Sequence, residues 1–122
     1  MAKKRRVKFE TFLDGVCSFW QLDEDRRPVK VMENIRFQQR VVGSKRNYCA
    51  EQAGHNIEML IRIPRCDRVA RGCFVVIGEQ QFKVIQAQTI VDSIPQCTDL
   101  TLAQPDLMLS FDAEEVGAGG RM

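Results

Sequence analysis

The side chains that could do chemistry in this 122-residue chain are few and scattered. His55 is the single histidine, and Cys17, Cys49, Cys66, Cys73 and Cys97 form no CxxC pair. Nucleophilic or metal chemistry needs a base or several ligands converging on one point, and this inventory supplies neither. His55 follows Gly54, where it reads as a loop residue beside a helix C-terminus that favours positive charge. The acid pairs Asp23 with Asp25 and Glu114 with Glu115 lie in polar segments that offer no burial to raise a pKa. No glycine pattern of the GxGxxG or GxxxxGK[ST] kind spells out a phosphate cradle. The expectation is a protein without catalytic residues, metal or cofactor.

Basic residues remain. Arg62, Arg65, Arg68 and Arg71 recur at every third position through IRIPRCDRVARG, with Asp67 as the single acid among them. Arginines there can contact phosphate or make forked hydrogen bonds to a partner's carboxylates. They can equally pair with Asp67 and neighbouring acids on a solvated connection. A second cluster, Lys3, Lys4, Arg5 and Arg6 with Lys8 against Glu10, gives the first ten residues a charge of +4. It reads as a basic arm for phosphate or an acidic surface, as a solvated tail, or as a short import-like signal. The candidate partner- or DNA-facing residues are therefore Arg62, Arg65, Arg68, Arg71, Lys3, Lys4, Arg5 and Arg6. An aromatic content of 7% argues against a stacking platform for single-stranded nucleic acid.

The elements that position these residues follow a period of two. Val16, Ser18, Trp20 and Leu22 alternate with Cys17, Phe19 and Gln21 after the Asp14-Gly15 turn, which predicts a strand. The charged stretch Leu22 to Pro28 reads as a loop, and a second extended segment runs from about Val29 to Val42. From Ser44 to Gly54 an N-cap and a C-cap glycine bracket a short helix. Ile57, Met59, Ile61 and Ile63 then share one strand face, with Glu58 and Arg62 on the other. Cys73–Ile77 and Gln81–Val91 make a hairpin across Gly78-Glu79, and the apolar parity slips between Val84 and Ile85, which predicts a bulge. Thr98–Leu102 reads as the last long strand, with a short further one through Leu107, Leu109 and Phe111.

About six strands and one small helix predict a mainly β protein: a small antiparallel β-barrel, because a flat sheet would leave an apolar face wet. The expected organisation is a basic arm over 1–10, one barrel domain over 11–111, and a flexible acidic, glycine-rich tail over 112–122. No apolar run is long enough to span a bilayer, so no membrane partner is expected, and the scattered cysteines fit a reducing compartment.

The order of these segments resembles the head-tail adaptor, or head-closure, proteins of long-tailed bacteriophages. The resemblance rests on Gly43, Lys45, Arg46, Tyr48, Ala50 and Gln52, followed by Ile61-Arg62-Ile63. It continues through Val75-Val76-Ile77-Gly78 with Phe82, Val84 and Ile85, and ends on Asp99-Leu100-Thr101-Leu102. It covers about residues 35 to 104 and rests on order and spacing, with no catalytic signature. What it implies is a structural virion protein of the neck, assembled as a homo-oligomeric ring between portal and tail. The partners implied are copies of itself, a portal or adaptor protein, tail proteins, and packaged DNA in the channel. The implied location is the virion neck, and the host cytoplasm during assembly. The alternatives are a free-standing nucleic-acid-binding barrel and a tail-completion or minor capsid protein.

Overall fold

A computed structural model of the chain describes residues 8–41 and 57–110. Eight strands follow in chain order: β1 (Lys8–Phe9), β2 (Gly15–Leu22), β3 (Pro28–Arg40), β4 (Ile57–Pro64), β5 (Phe74–Ile77), β6 (Gln80–Ile90), β7 (Ser93–Ile94) and β8 (Cys97–Ala103). Six of them close into an antiparallel barrel in the order β2-β3-β4-β8-β6-β5, and β1 pairs in parallel with β7 beside it. The protein is mainly β, as the alternation of its apolar residues requires. The helix expected over 44–54 lies outside the described residues, as do the tail over 112–122 and the basic cluster Lys3, Lys4, Arg5 and Arg6.

The inward residues of every stave meet in one core. Cys17 and Phe19 from β2, Phe37 from β3, Ile61 and Ile63 from β4, Val75 from β5, Phe82 and Val84 from β6, and Leu100 and Leu102 from β8 all belong to it. Closure of the sheet demands local twist, and bulges supply it. In the β6–β8 pairing Val84 faces Leu102 and Gln86 faces Thr101, so Ile85 is the extra residue and the parity slip is accommodated there. Two more irregularities fall between Cys17, Phe19 and Trp20 of β2 and their β3 partners, where Asn34 takes a φ of +58°. Asparagine tolerates that left-handed backbone better than most residues. Gly78, at φ +63°, makes the tight turn between β5 and β6.

Two features differ from the reading of the sequence. Residues 104–110 form no strand; Gln81 instead clamps Leu109, its Oε1 accepting from the Leu109 N–H at 2.6 Å and its Nε2 donating to the Leu109 carbonyl at 3.1 Å. A side-chain amide thus replaces the ladder that the alternation of Leu107 and Leu109 suggests. In addition, the last three residues of the N-terminal arm join the fold. Lys8 and Phe9 align with Ser93 and Ile94, and the Glu10 N–H donates to the Ile94 carbonyl at 3.0 Å.

Gly15 opens β2 at φ +151°, and a Cβ there would lie 3.0 Å from the ring of the buried Phe37. Gly15→Ala is expected to cost roughly 1–3 kcal/mol from strain and overpacking. The urea midpoint checks it, with Gly72→Ala, at φ +99° but with nothing within 4 Å, as the comparison that carries backbone strain without overpacking.

Candidate functional site

The four arginines spaced by three do not share a surface, because the spacing crosses from a strand into a loop. Arg62 lies on β4 between Ile61 and Ile63, which face the core, so its side chain leaves the barrel wall on the outside. It is nevertheless buried, at 7% exposure. Arg62 is therefore corrected from a partner- or DNA-facing residue to a structural one. The register places it opposite Asp99 of β8, and the pair is bidentate: Nε donates to Oδ1 at 2.6 Å and Nη2 to Oδ2 at 2.9 Å. Its remaining fork, Nη1, donates to Oε2 of Glu10 at 3.0 Å.

Glu10 comes from the N-terminal segment, which runs from its pairing with β7 across the outside of β4 and β3 as a strap. Gln38, opposite Arg62 on β3, donates from Nε2 to Glu10 Oε1 at 3.2 Å and to the Thr11 carbonyl at 2.8 Å. Arg40 brings a second cation within 3.6 Å of Glu10 and donates to Gln38 Oε1 at 2.6 Å. Farther along, Asp14 Oδ2 accepts from the Gln39 N–H at 2.7 Å, and the Asp14 N–H donates to the Phe37 carbonyl. Two guanidinium groups and two carboxylates thus balance on one patch of wall. The hydrogen bond to Asp99, with the charges of Asp99 and Glu10, raises the Arg62 pKa above its usual value against the opposing effect of burial.

The other three arginines occupy the connection between β4 and β5, and all three are exposed. That connection is held at many points. Its Arg65 N–H donates to the Gln96 carbonyl at 2.8 Å, the Cys66 N–H to Thr98 Oγ1 at 3.0 Å, and the Gly72 N–H to the Val84 carbonyl at 2.9 Å. Val69 is driven into the core. Arg65 donates from Nη1 to Gln96 Oε1 at 2.8 Å and reaches Asp67 at 3.4 Å, while Arg68 donates to the Val31 carbonyl at 3.3 Å. Arg71 lines a shallow depression with Lys83, Asp106 and Leu107. The result is three guanidinium groups on a fixed loop, suited to phosphate or carboxylate. Lys3, Lys4, Arg5 and Arg6 lie outside the described residues, as does His55.

Cys17, Cys66, Cys73 and Cys97 are free thiols. Burial pushes the Cys17 thiol up to about 12 from 9.0, which leaves it protonated and unreactive where an ordinary thiol ionises. Among the described residues, no three His, Cys, Asp or Glu side chains stand where they could hold a metal ion. No helix among them is long and apolar enough to cross a membrane.

The sequence offered a signal for the buried pair that charge spacing concealed. In each of two largely apolar strands, Ile57–Pro64 and Cys97–Ala103, a charge interrupts the apolar run, Arg62 between Ile61 and Ile63 and Asp99 beside Leu100, and these two charges are opposite. Nothing comparable marks Glu10, whose place depends on the β1–β7 pairing. No protein-family model matches the chain, and no curated protein matches it. The site is thus defined by its own geometry: a charge-clamped strap on one wall and an arginine loop at the edge of the barrel.

Two outcomes are expected. Asp99→Ala leaves the Arg62 guanidinium buried with one carboxylate fewer, so it should destabilise by about 3–5 kcal/mol in urea unfolding, and Arg62→Lys should not preserve stability because an ammonium cannot reproduce the bidentate fork. For Cys17, the raised pKa means that folding favours the thiol: that contribution is complete below pH 9 and is lost as the pH climbs toward 12. Iodoacetamide at pH 8.5 (on the order of the free-thiol pKa) should therefore label Cys17 after unfolding in urea and spare it in the native chain, as peptide mass mapping would report.

Proposed function

We propose that this protein is a structural virion component that joins the portal of a DNA-filled head to the tail, as part of a homo-oligomeric neck ring. One observation carries the reading. Of the segments that resemble the head-tail adaptor proteins, those among the described residues lie on four contiguous staves, β4, β8, β6 and β5, and the charged positions they carry, Arg62 and Asp99, meet as a buried bidentate pair. In support of the reading, these stretches are neighbours in the sheet and the charged residues within them complement each other.

The distribution of polar groups supports the same reading. The strongest charge interactions are spent inside the wall, where they hold strands together, and the exposed surface carries apolar side chains and a stiff arginine loop. Such a surface suits assembly against neighbours. In this reading Arg65, Arg68 and Arg71 meet carboxylates of an adjoining ring or phosphates of the packaged DNA, and the chain performs no covalent chemistry. The protein belongs to the neck of the particle and passes through the host cytoplasm before assembly.

The test is genetic and structural. Deletion of the gene from the phage that encodes it should leave heads that package DNA but yield few stable tailed particles, as counted by electron microscopy. Infectious particles at normal yield without this protein would end the proposal.

A further inference from the structure

The strap differs from the rest of the chain in how it is attached. None of residues 9–14 belongs to the core, and Phe9, Thr11, Leu13 and Asp14 are exposed, with Phe12 half-buried. Its deeply buried group is the Glu10 carboxylate, on a side chain 7% exposed beside that of Arg62 at 9%. The strap therefore lies on a finished wall. If it lifts, Arg62 keeps both hydrogen bonds to Asp99, so no orphaned charge is left in the barrel.

Lifting it would uncover a set of groups aimed at one kind of ligand. Arg62 Nη1, 3.0 Å from Glu10 Oε2, and Gln38 Nε2, 3.2 Å from Oε1, grip the carboxylate, and Arg40 stands 3.6 Å away. The same Gln38 amide donates to the Thr11 carbonyl at 2.8 Å, and the Ile94 carbonyl accepts from the Glu10 N–H at 3.0 Å. Without Glu10, two guanidinium groups share the single carboxylate of Asp99, which leaves the patch positive. A phosphodiester would answer the donors but brings no N–H for the Ile94 carbonyl. An extended peptide with a glutamate answers all of them: its carboxylate meets the cations, its N–H meets Ile94, and its next carbonyl meets Gln38.

We infer that the wall beneath the strap is a receptor site for a glutamate carried on an extended peptide, and that the free chain fills it with its own Glu10. In this role the strap is an intramolecular competitor. A partner's acidic segment gains access when the strap lifts, so its apparent affinity is lowered by the fraction of time the strap is down. Asp14, bonded to Phe37 and Gln39, is the tether from which the segment before it swings away. The assignment rests on the strap's own contacts and does not depend on the neck reading.

Two measurements on the full-length chain test it. In the wild type, hydrogen exchange followed by NMR should show the Glu10 N–H exchanging on the order of a hundredfold faster than the amides of β8, because the strap opens while the barrel stays folded. Equal rates would mean that the strap leaves only on global unfolding, and would overturn the inference. The second measurement is fluorescence anisotropy with a labelled peptide of residues 7–14, VKFETFLD. Glu10→Pro in the full chain removes the carboxylate and the N–H together, and this variant should bind the peptide roughly tenfold or more tightly than wild type does. Gln38→Ala added to that chain, or Glu10→Gln in the peptide, should weaken binding about tenfold, the size of one lost hydrogen bond to a charged group. An unchanged circular-dichroism spectrum verifies each fold, and Glu10→Gln replaces Glu10→Pro in the chain if the proline disturbs it. Absence of binding, equal binding by variant and wild type, or displacement by sodium acetate as effective as by unlabelled peptide would overturn the assignment.

Discussion

The Arg62 guanidinium is the point on which the outer wall of this barrel depends. It is one cation held by two carboxylates from different parts of the chain, Asp99 on the neighbouring stave and Glu10 on the strap. Taking such groups out of water is costly, and the cost is offset only when the geometry is good and every donor is used. Here the fork is used on both sides: Nε and Nη2 toward Asp99, and Nη1 toward Glu10. The second carboxylate would leave the cluster with excess negative charge were Arg40 not 3.6 Å away. The arrangement also penalises slippage. A one-residue shift of β8 against β4 would turn Asp99 toward the core and Leu100 toward the wall, so the ion pair and the apolar alternation enforce the same register.

That register explains why β8 is buried along its whole length. Thr98, Leu100 and Leu102 are covered by the barrel interior. On the other face Asp99 is covered by Arg62, and Cys97 lies beneath the turn at Ser93–Pro95, with its sulfur 3.2 Å from the Pro95 carbonyl. The strand is flanked by β4 and β6, and its pairing with each includes one bulge. A stave with neighbours on four sides is the natural last line of resistance to local opening. The strap is the opposite case, since it is held by a handful of polar contacts and a two-residue pairing with β7.

The parts of the fold legible in the sequence are those set by local patterning. The strands announce themselves through period-two alternation and turn residues, and the bulge at Ile85 through a slip in that alternation, because both arise from which face of a strand must be dry. Closure follows from the same logic. Arg62 was misplaced because a spacing of three has meaning on a helix and none across a strand and loop; the side-chain direction of Arg62 is set by Ile61 and Ile63, not by Arg65. Leu107 and Leu109 alternate as a strand would, yet no unpaired edge is offered to them, and Gln81 captures the backbone of Leu109 instead. The β1–β7 pairing leaves no local trace, since two residues are too few for a pattern and the contact is created by tertiary structure. Glu10, read as part of a basic arm, is internal for that reason.

The charge cluster and the surface are linked through the strap. Phe9 and Leu13 flank Glu10 within five residues, so the salt bridge that fixes Glu10 also limits how far the two apolar side chains can wander. Association is weakened by each flexible group that must be immobilised, and a feature held in place beforehand avoids much of that cost. A buried ion pair that adds little net stability compared with an apolar pair can therefore have a second effect, which is to preorganise an exposed ridge. The arginine loop follows the same design: backbone bonds to Gln96, Thr98 and Val84 fix it, and its guanidinium groups are presented from a stiff base. In both places polar interactions fix the backbone from which exposed side chains project, so the buried charges and the loop's hydrogen bonds set the shape of the outer surface as well as the stability of the wall.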